Sequence, residues 1–426
     1  MSYFLYLFTY YQTSTHLNVY QFIAKRISES KAQQKSGFSF SLLVSQIAVV
    51  SVAVTIVVIL LSFSVLFGFK NAIKNKMFSF SGHIRIVKTS NNQSFEEPPV
   101  PLESEIRANF KKIPYIEHLQ VYAQKPGVVK IKDNVQGVVL KGIDEGFRYS
   151  DFADNMKEGR WLQFRKDAEA GEAVISQTIA DKLQLRLQDS VIVVFVQEPP
   201  RFRRLKIVGI YESGVGVFDE KFIITDLKTI QKVNNWGDSL VSGYEIFLKD
   251  FDKINEYSWK LEEYLPYQLR PQPVTAKHHD TFDWLELLDN NVVIILIIIL
   301  AVASFNIISV LLIMMMERTP MVGILKAMGA ADRQIRHIFL LKGIRIMLKG
   351  FAWGNLLAFA LYALQYYFRL IPLDTQNYYV SYVPVEWNWW ICLWVNMGVF
   401  ALIAFVMWLP IHFVVRISPV KAIRFV

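Results

Sequence analysis

The run VVIILIIILAVASFNIISVLLIMMM (292–316) passes directly into ERTPMVGILKAMGAADRQIRHIF (317–339). The first stretch has no charged side chain, and a helix needs roughly 20 apolar residues to cross a hydrocarbon core of about 30 Å. It reads as a membrane span. The second stretch carries Glu317, Arg318, Lys326, Asp332, Arg333 and Arg336, too many charges to prolong that span. Yet Met321, Ile324, Leu325 and Met328 recur at helical spacing and form one apolar stripe. Pro320 suits the first turn of a fresh helix, Gly329 with Ala330 suits its end, and Asp332 is placed to cap the next. A short amphipathic helix between two apolar runs decides the architecture.

Working outward, comparable apolar runs occupy about 42–67, 343–368 and 388–409. In a chain of 426 residues, 53% hydrophobic and only 19% charged, they exclude an ordinary soluble protein. The expected fold class is an α-helical integral membrane protein with four transmembrane helices and a large extracytoplasmic α+β domain between helices one and two. The divisions are an amphipathic cytoplasmic or interfacial N-terminus (1–39), a first span (40–69), the outer domain (70–285), a second span (286–316) and the short-helix loop (317–339). A third span (340–368), an outer loop (369–387), a fourth span (388–410) and a cytoplasmic tail (411–426) complete the chain. The N-terminal segment has no positive leader or small-residue cleavage site, so it reads as an interfacial helix with Val19, Phe22, Ile23 and Ile27 on one face.

Basic residues tie around the first span, so later loops set the orientation. Arg318, Lys326, Arg333 and Arg336 lie between spans two and three, and Arg416, Lys421 and Arg424 follow span four. Arg369, between spans three and four, stands against Asp374 and Glu386. The positive-inside rule then puts the 317–339 loop and both termini in the cytoplasm. Alternating runs at 83–88, 127–144 and 191–211 predict strands in the outer segment, with a turn at Asp133-Asn134 and a loop at Pro199-Pro200. Helices are expected over 176–187 and 253–265, and 90–105 reads as a polar, proline-rich loop.

Much chemistry is absent. The sequence has no phosphate-binding Gly-x-x-x-x-Gly-Lys-Ser/Thr loop and no Gly-Lys dipeptide, so any nucleotide must be hydrolysed by another polypeptide. The single cysteine, Cys392, lies inside a span and rules out an internal disulfide. His278, His279 and Asp280 cannot share one helix face and read as solvated residues before a helix, not metal ligands. Lys349 is the one ionisable group deep in a span, and it can snorkel to the interface. The net charge of +9 is spread thinly, without the basic block that nucleic acid would require.

Several segments together carry a family resemblance. FIAKR (22–26), SFSVLFGFKNAIKNKMFSFSGHIRI (62–86), KGID (141–144), EGRWL (158–162) and ISQTIADKLQLRLQDSVIVV (175–194) are followed by ERTPMVGILKAMGAADRQIRHIFLLKG (317–343). IPLDTQNYYVSYVPVEWNW (371–389) and PIHFVVRISPVKAIRF (410–425) extend the match nearly end to end. The chain resembles the permease subunits of lipoprotein-releasing ABC transporters, within the wider MacB-like and FtsX-like group. That resemblance implies a non-catalytic bacterial inner-membrane subunit with a MacB-like periplasmic core domain. It implies a second permease subunit, two copies of a cytoplasmic ABC ATPase that holds ATP and Mg, and an acylated lipoprotein as cargo. A periplasmic lipoprotein carrier is a further implied partner, although the loop at 198–202 is shorter than the long hook of some members.

The resemblance assigns ATPase coupling to Glu317, Arg318, Met321, Gly323, Ile324, Leu325, Lys326, Ala327, Met328, Gly329 and Ala330. It assigns a substrate cavity to Val58, Ser62, Val65, Leu66 and Phe69 of the first span. From the residues alone, the short-helix stripe packs either on the chain's own span ends or into a groove of a partner. The span-one residues equally read as lipid-facing. Gly343, Gly350 and Gly354 make a small-residue face suited to close helix packing, inside the chain or at a dimer seam. Trp387, Trp389, Trp390 and Trp394 read as an interfacial belt or a lipid site. An exporter of peptides or amphiphiles and a non-transporting signalling scaffold are the rival functions, the second disfavoured by the size of the outer segment.

Overall fold

The computed structural model describes residues 40–90, 95–131, 134–165, 169–317, 319–374 and 378–414. The N-terminal interfacial segment, the tail beyond 414, Asp133 and Arg318 lie outside the described residues. The chain divides into two compact units, one formed by residues up to Phe67 with 288–370 and 385 onward, the other by 68–287 with 371–384.

Among the described residues, four helices are long and apolar enough to cross a membrane. They belong to the helices Phe40–Ser81, His279–Glu317, Asp332–Phe368 and Trp389–Val414. The third therefore starts at Asp332, well before the apolar run itself. Their shared core includes Ile56 and Leu60, Ile307 and Leu311, Met347 and Ala358, and Ile403 and Met407. Lipid tails are as apolar as these side chains, so close packing and polar contacts must hold the helices together. Asn306 Nδ2 donates to Ser51 Oγ at 3.0 Å. Asn355 and Asn396 exchange amide hydrogen bonds of 2.8 and 2.9 Å between the third and fourth helices.

In the second unit, the strands are β1 (Ile84–Lys88), β2 (Val100–Pro101), β3 (Ile116–Ile131), β4 (Asn134–Ile143), β5 (Met156–Gly159) and β6 (Glu172–Ser176). They continue as β7 (Ser190–Phe195), β8 (Arg201–Tyr211), β9 (Phe222–Asp226), β10 (Leu240–Val241), β11 (Gly243–Leu248) and β12 (Leu269–Pro273). Ten form one sheet in the order β12-β1-β11-β3-β4-β9-β6-β8-β5, with β7 bridging β3 and β8; β10 pairs only β2. Most pairs are antiparallel, but β4 with β9 and β6 with β8 are parallel. Mixed pairing with short helices is the α+β content that the alternating runs imply.

Local details differ from the sequence expectation in four places. Ile131 pairs with Asn134, so Asn134 is already a strand residue and not part of the turn. The helix expected over 176–187 is only Gln177–Leu183, capped by Ser176 Oγ and stopped by Gln184 in the left-handed region at φ 55°. The polar segment before residue 105 is pinned, since Glu96 pairs with Lys125 and Glu97 accepts from Tyr122. His278 is half-buried and not fully solvated: its ring meets Phe218 edge-on at 5.7 Å, and burial pushes its pKa down to about 4.

His83, just before β1, is a second histidine whose burial makes the fold pH-sensitive. Its Nδ1 accepts from the Leu248 N–H at 2.8 Å, and its ring packs on Phe78 at 4.3 Å. Burial, opposed by Glu117, pushes its pKa down from 6.5 to about 4. Between those values the folded state binds fewer protons than the unfolded chain, so stability is lost as pH falls through that window. The shift corresponds to roughly 3 kcal/mol. Thermal unfolding of the full chain in detergent from pH 7 to pH 4 should show a smaller acid loss for His83→Asn, whose amide oxygen can keep the Leu248 bond. Parallel profiles for the two proteins would remove His83 from the account.

Candidate functional site

Residues Thr319–Ala327 form a helix of their own between the second and third span-length helices. Its stop is built from the backbone: Ala330 N–H reaches Leu325 O at 2.9 Å and Gly329 N–H reaches Lys326 O at 3.0 Å. Those two bonds require a left-handed residue between them, and Gly329 supplies it at φ +88°. Lys326 Nζ then meets Asp332 Oδ1 at 3.0 Å, tying the short helix to the start of the third. Asp332 is thus not the expected cap. Ala331 occupies the cap position, and its N–H donates to Gln334 Oε1 at 3.0 Å.

The apolar stripe of this helix divides in two. Val322, absent from the sequence-based stripe, is buried in the helix core beside Met315, Ile335 and Phe339. Gly323 is also buried, Met321, Leu325 and Lys326 are half-buried, and Ala330 packs partly on that core. Ile324 and Met328 point outward at 57% and 79% exposure, with Ala327 and Gly329 also exposed. Glu317 closes the preceding helix. One edge anchors the helix to its own chain while the other leaves two large apolar side chains exposed. Arg333 is exposed on the following helix and adds positive charge nearby in sequence.

The five span-one residues do not share one open surface. Val58 is exposed and continues a line of exposed side chains at Ile47, Val50 and Val54. Ser62 and Val65 are half-buried, and Leu66 is buried at 7%. Phe69 belongs to the other unit, where it meets Trp284 edge-on at 5.8 Å. A second bare surface lies on the helix after Leu288, where Val293, Ile294, Ile297, Ile298 and Val302 are each more than half exposed. Only 11% of that helix's most apolar window is buried, against 44% for the first. Its unbroken hydrophobicity is the sequence signal for this surface.

Known families align with this arrangement. A model of the MacB-like periplasmic core domain matches residues 45–257, and one of the FtsX-like permease C-terminal region matches 293–419. The chain belongs to the MacB-like and FtsX-like permeases. It is 20% identical over 399 residues to the lipoprotein-releasing system transmembrane protein LolE of Haemophilus influenzae, covering 89% of this chain and 94% of that one. It is 23% identical over 412 residues to LolC of Neisseria meningitidis serogroup B, covering 91% and 93% of the two chains. LolC of Xylella fastidiosa strain Temecula1 is 21% identical over 422 residues, with 93% and 96% covered.

Gly343, Gly350 and Gly354 of this permease pack against other helices of the same chain. A Cβ on Gly350 would lie 2.6 Å from Val52 Cβ, and one on Gly354 would lie 2.9 Å from both Ala53 O and Ile56 Cβ of the first helix. At Gly343 the obstacle is the flexible end of Met407. The remaining aromatic residues are split: Trp387 packs on Tyr362 and Phe359 at 5.2 and 5.3 Å, while Trp389, Trp390 and Trp394 are exposed. Lys349 is exposed as well. Because backbone cannot yield as a methionine terminus can, Gly354→Ala should cost about 1–3 kcal/mol and Gly343→Ala under about 1. Unfolding midpoints in detergent test this, and equal losses at both positions would contradict it.

Proposed function

We propose that this permease is the non-catalytic membrane subunit of an ABC-type machine that releases acylated lipoproteins from the outer leaflet of a bacterial inner membrane. The observation that carries the proposal is the similarity, over about nine-tenths of both chains, to proteins named as lipoprotein-releasing system transmembrane proteins. The geometry supports it at two places. Ile324 and Met328 stand outward on a helix whose inner edge is fixed, as a helix seated in a partner's groove requires. The bare outer part of the second helix offers apolar surface to acyl chains.

In this reading two copies of a separate cytoplasmic ATPase hold ATP and Mg, and a second permease completes a two-fold assembly. Both termini and the short helix lie on the cytoplasmic side, and the sheet unit lies in the periplasm. ATPase closure displaces Thr319–Ala327. The third helix follows because Lys326 is tied to Asp332 at its first turn. The loop between β7 and β8 spans only 196–200, so capture of a periplasmic carrier is assigned elsewhere in the assembly.

Two experiments test the proposal. Depletion of the permease should trap mature lipoproteins in the inner membrane; normal sorting, with loss of peptide or drug export or of cell-wall hydrolase activation instead, would favour the rival functions. Ile324→Asp with Met328→Asp should leave a folded permease and lower ATPase co-purification at least tenfold, since each buried apolar anchor contributes about 2 kcal/mol or more. Undiminished co-purification would place the ATPase contact elsewhere.

A further inference from the structure

The first helix ends at Ser81 with no basic residue in its last turn, so the negative end of its dipole lacks a cation of its own. The sheet unit supplies one. Lys141, on β4 and 1% exposed, donates to Phe80 O and to both Glu245 carboxylate oxygens, the latter at 2.7 and 3.0 Å. Glu245 is fully buried on β11 and also accepts from Arg85 of β1 at 2.9 Å and Gln120 of β3 at 2.8 Å. Arg85 and Lys277 both face Glu97, at 3.8 and 3.3 Å.

Three cations therefore meet two carboxylates, and the surplus positive charge sits where the helix presents its carbonyl end. A buried ion cluster adds little stability over well-packed apolar residues, so its worth lies in fixing positions. The adjoining turn is equally constrained. Gly82 is left-handed at φ +64°, and a Cβ there would lie 3.2 Å from Glu245 Cβ and 3.3 Å from Ile246 O. Helix end, turn and strand β11 are interlocked at one carboxylate.

We propose that Lys141, acting through Glu245, is a positioning residue that fastens the end of the first helix to the sheet, so that displacement of the helix is passed to the sheet and not absorbed at Gly82–His83. The transport half of this proposal rests on the lipoprotein-release reading; the fastening half does not.

The test uses the full permease assembled with its ATPase and second subunit in lipid nanodiscs. Lys141→Met is compared with Lys141→Met/Glu245→Gln, which removes one charge of each sign and guards against misfolding from a buried carboxylate that keeps only Arg85 as its cation. Amide exchange over residues 77–83 should rise at least tenfold in the folded double variant while β3, β4 and β9 stay protected. ATP hydrolysis should stay within about twofold of wild type and lipoprotein released per ATP should fall at least tenfold. Unchanged exchange at 77–83, or exchange rising throughout the sheet, would overturn the fastening. Increased exchange at 77–83 with normal release per ATP would overturn its role in transport. If the wild-type assembly releases no lipoprotein, the functional reading and the transport half fall together, and exchange alone decides the fastening.

Discussion

Glu245 carries a charge on β11, fully buried within a ten-stranded sheet. Burial alone would raise its carboxyl pKa, but Lys141 and Arg85 together hold it below the ordinary value. Burial in turn pushes Lys141 down to about 8, with Glu245 opposing, so both remain charged near neutral pH. Losing one partner of such a set costs about 3–5 kcal/mol, because a bare charge is left behind. Much of the sheet unit is arranged around this need: β1, β3, β4 and β11 contribute donors or the acceptor, and the first helix's last turn closes over Lys141.

The helical unit answers a different constraint with similar economy. Where lipid gives no hydrophobic drive, Gly350 and Gly354 let the third helix approach the first at near-backbone contact. Paired Asn355 and Asn396 join the third helix to the fourth. The second helix takes least part, with most of its apolar surface uncovered. The short helix at Thr319–Ala327 joins the second helix to the third, with Lys326 tied to Asp332.

Helices were legible because their signals are local. Length and apolarity mark the spans, and Gly329 and the 3.6-residue period mark the short helix. The strand pairs at 127–144 and 191–211 were legible for the same reason. Burial was not. Arg85, Lys141 and Glu245 occupy polar positions in alternating strands, a pattern that normally means a solvent face. Their partners lie 160 and 104 positions apart, so no window of sequence joins them. The stripe at 321–328 failed at finer grain: spacing finds the apolar face, but only packing shows that Val322 turns inward while Ile324 and Met328 turn out. Which face of span one turns outward was not legible, since a wholly apolar helix gives periodicity nothing to separate.

The most direct test of the account is reconstitution. The permease, its second subunit and the ATPase are placed in liposomes with a fluorescent triacylated lipoprotein in the outer-facing leaflet, together with a soluble acceptor for acyl chains. The account predicts that lipoprotein leaves the membrane only when ATP is hydrolysed and only when this permease is present. Release that is equally fast without the permease, or ATP hydrolysis that never removes lipoprotein from the bilayer, would contradict it.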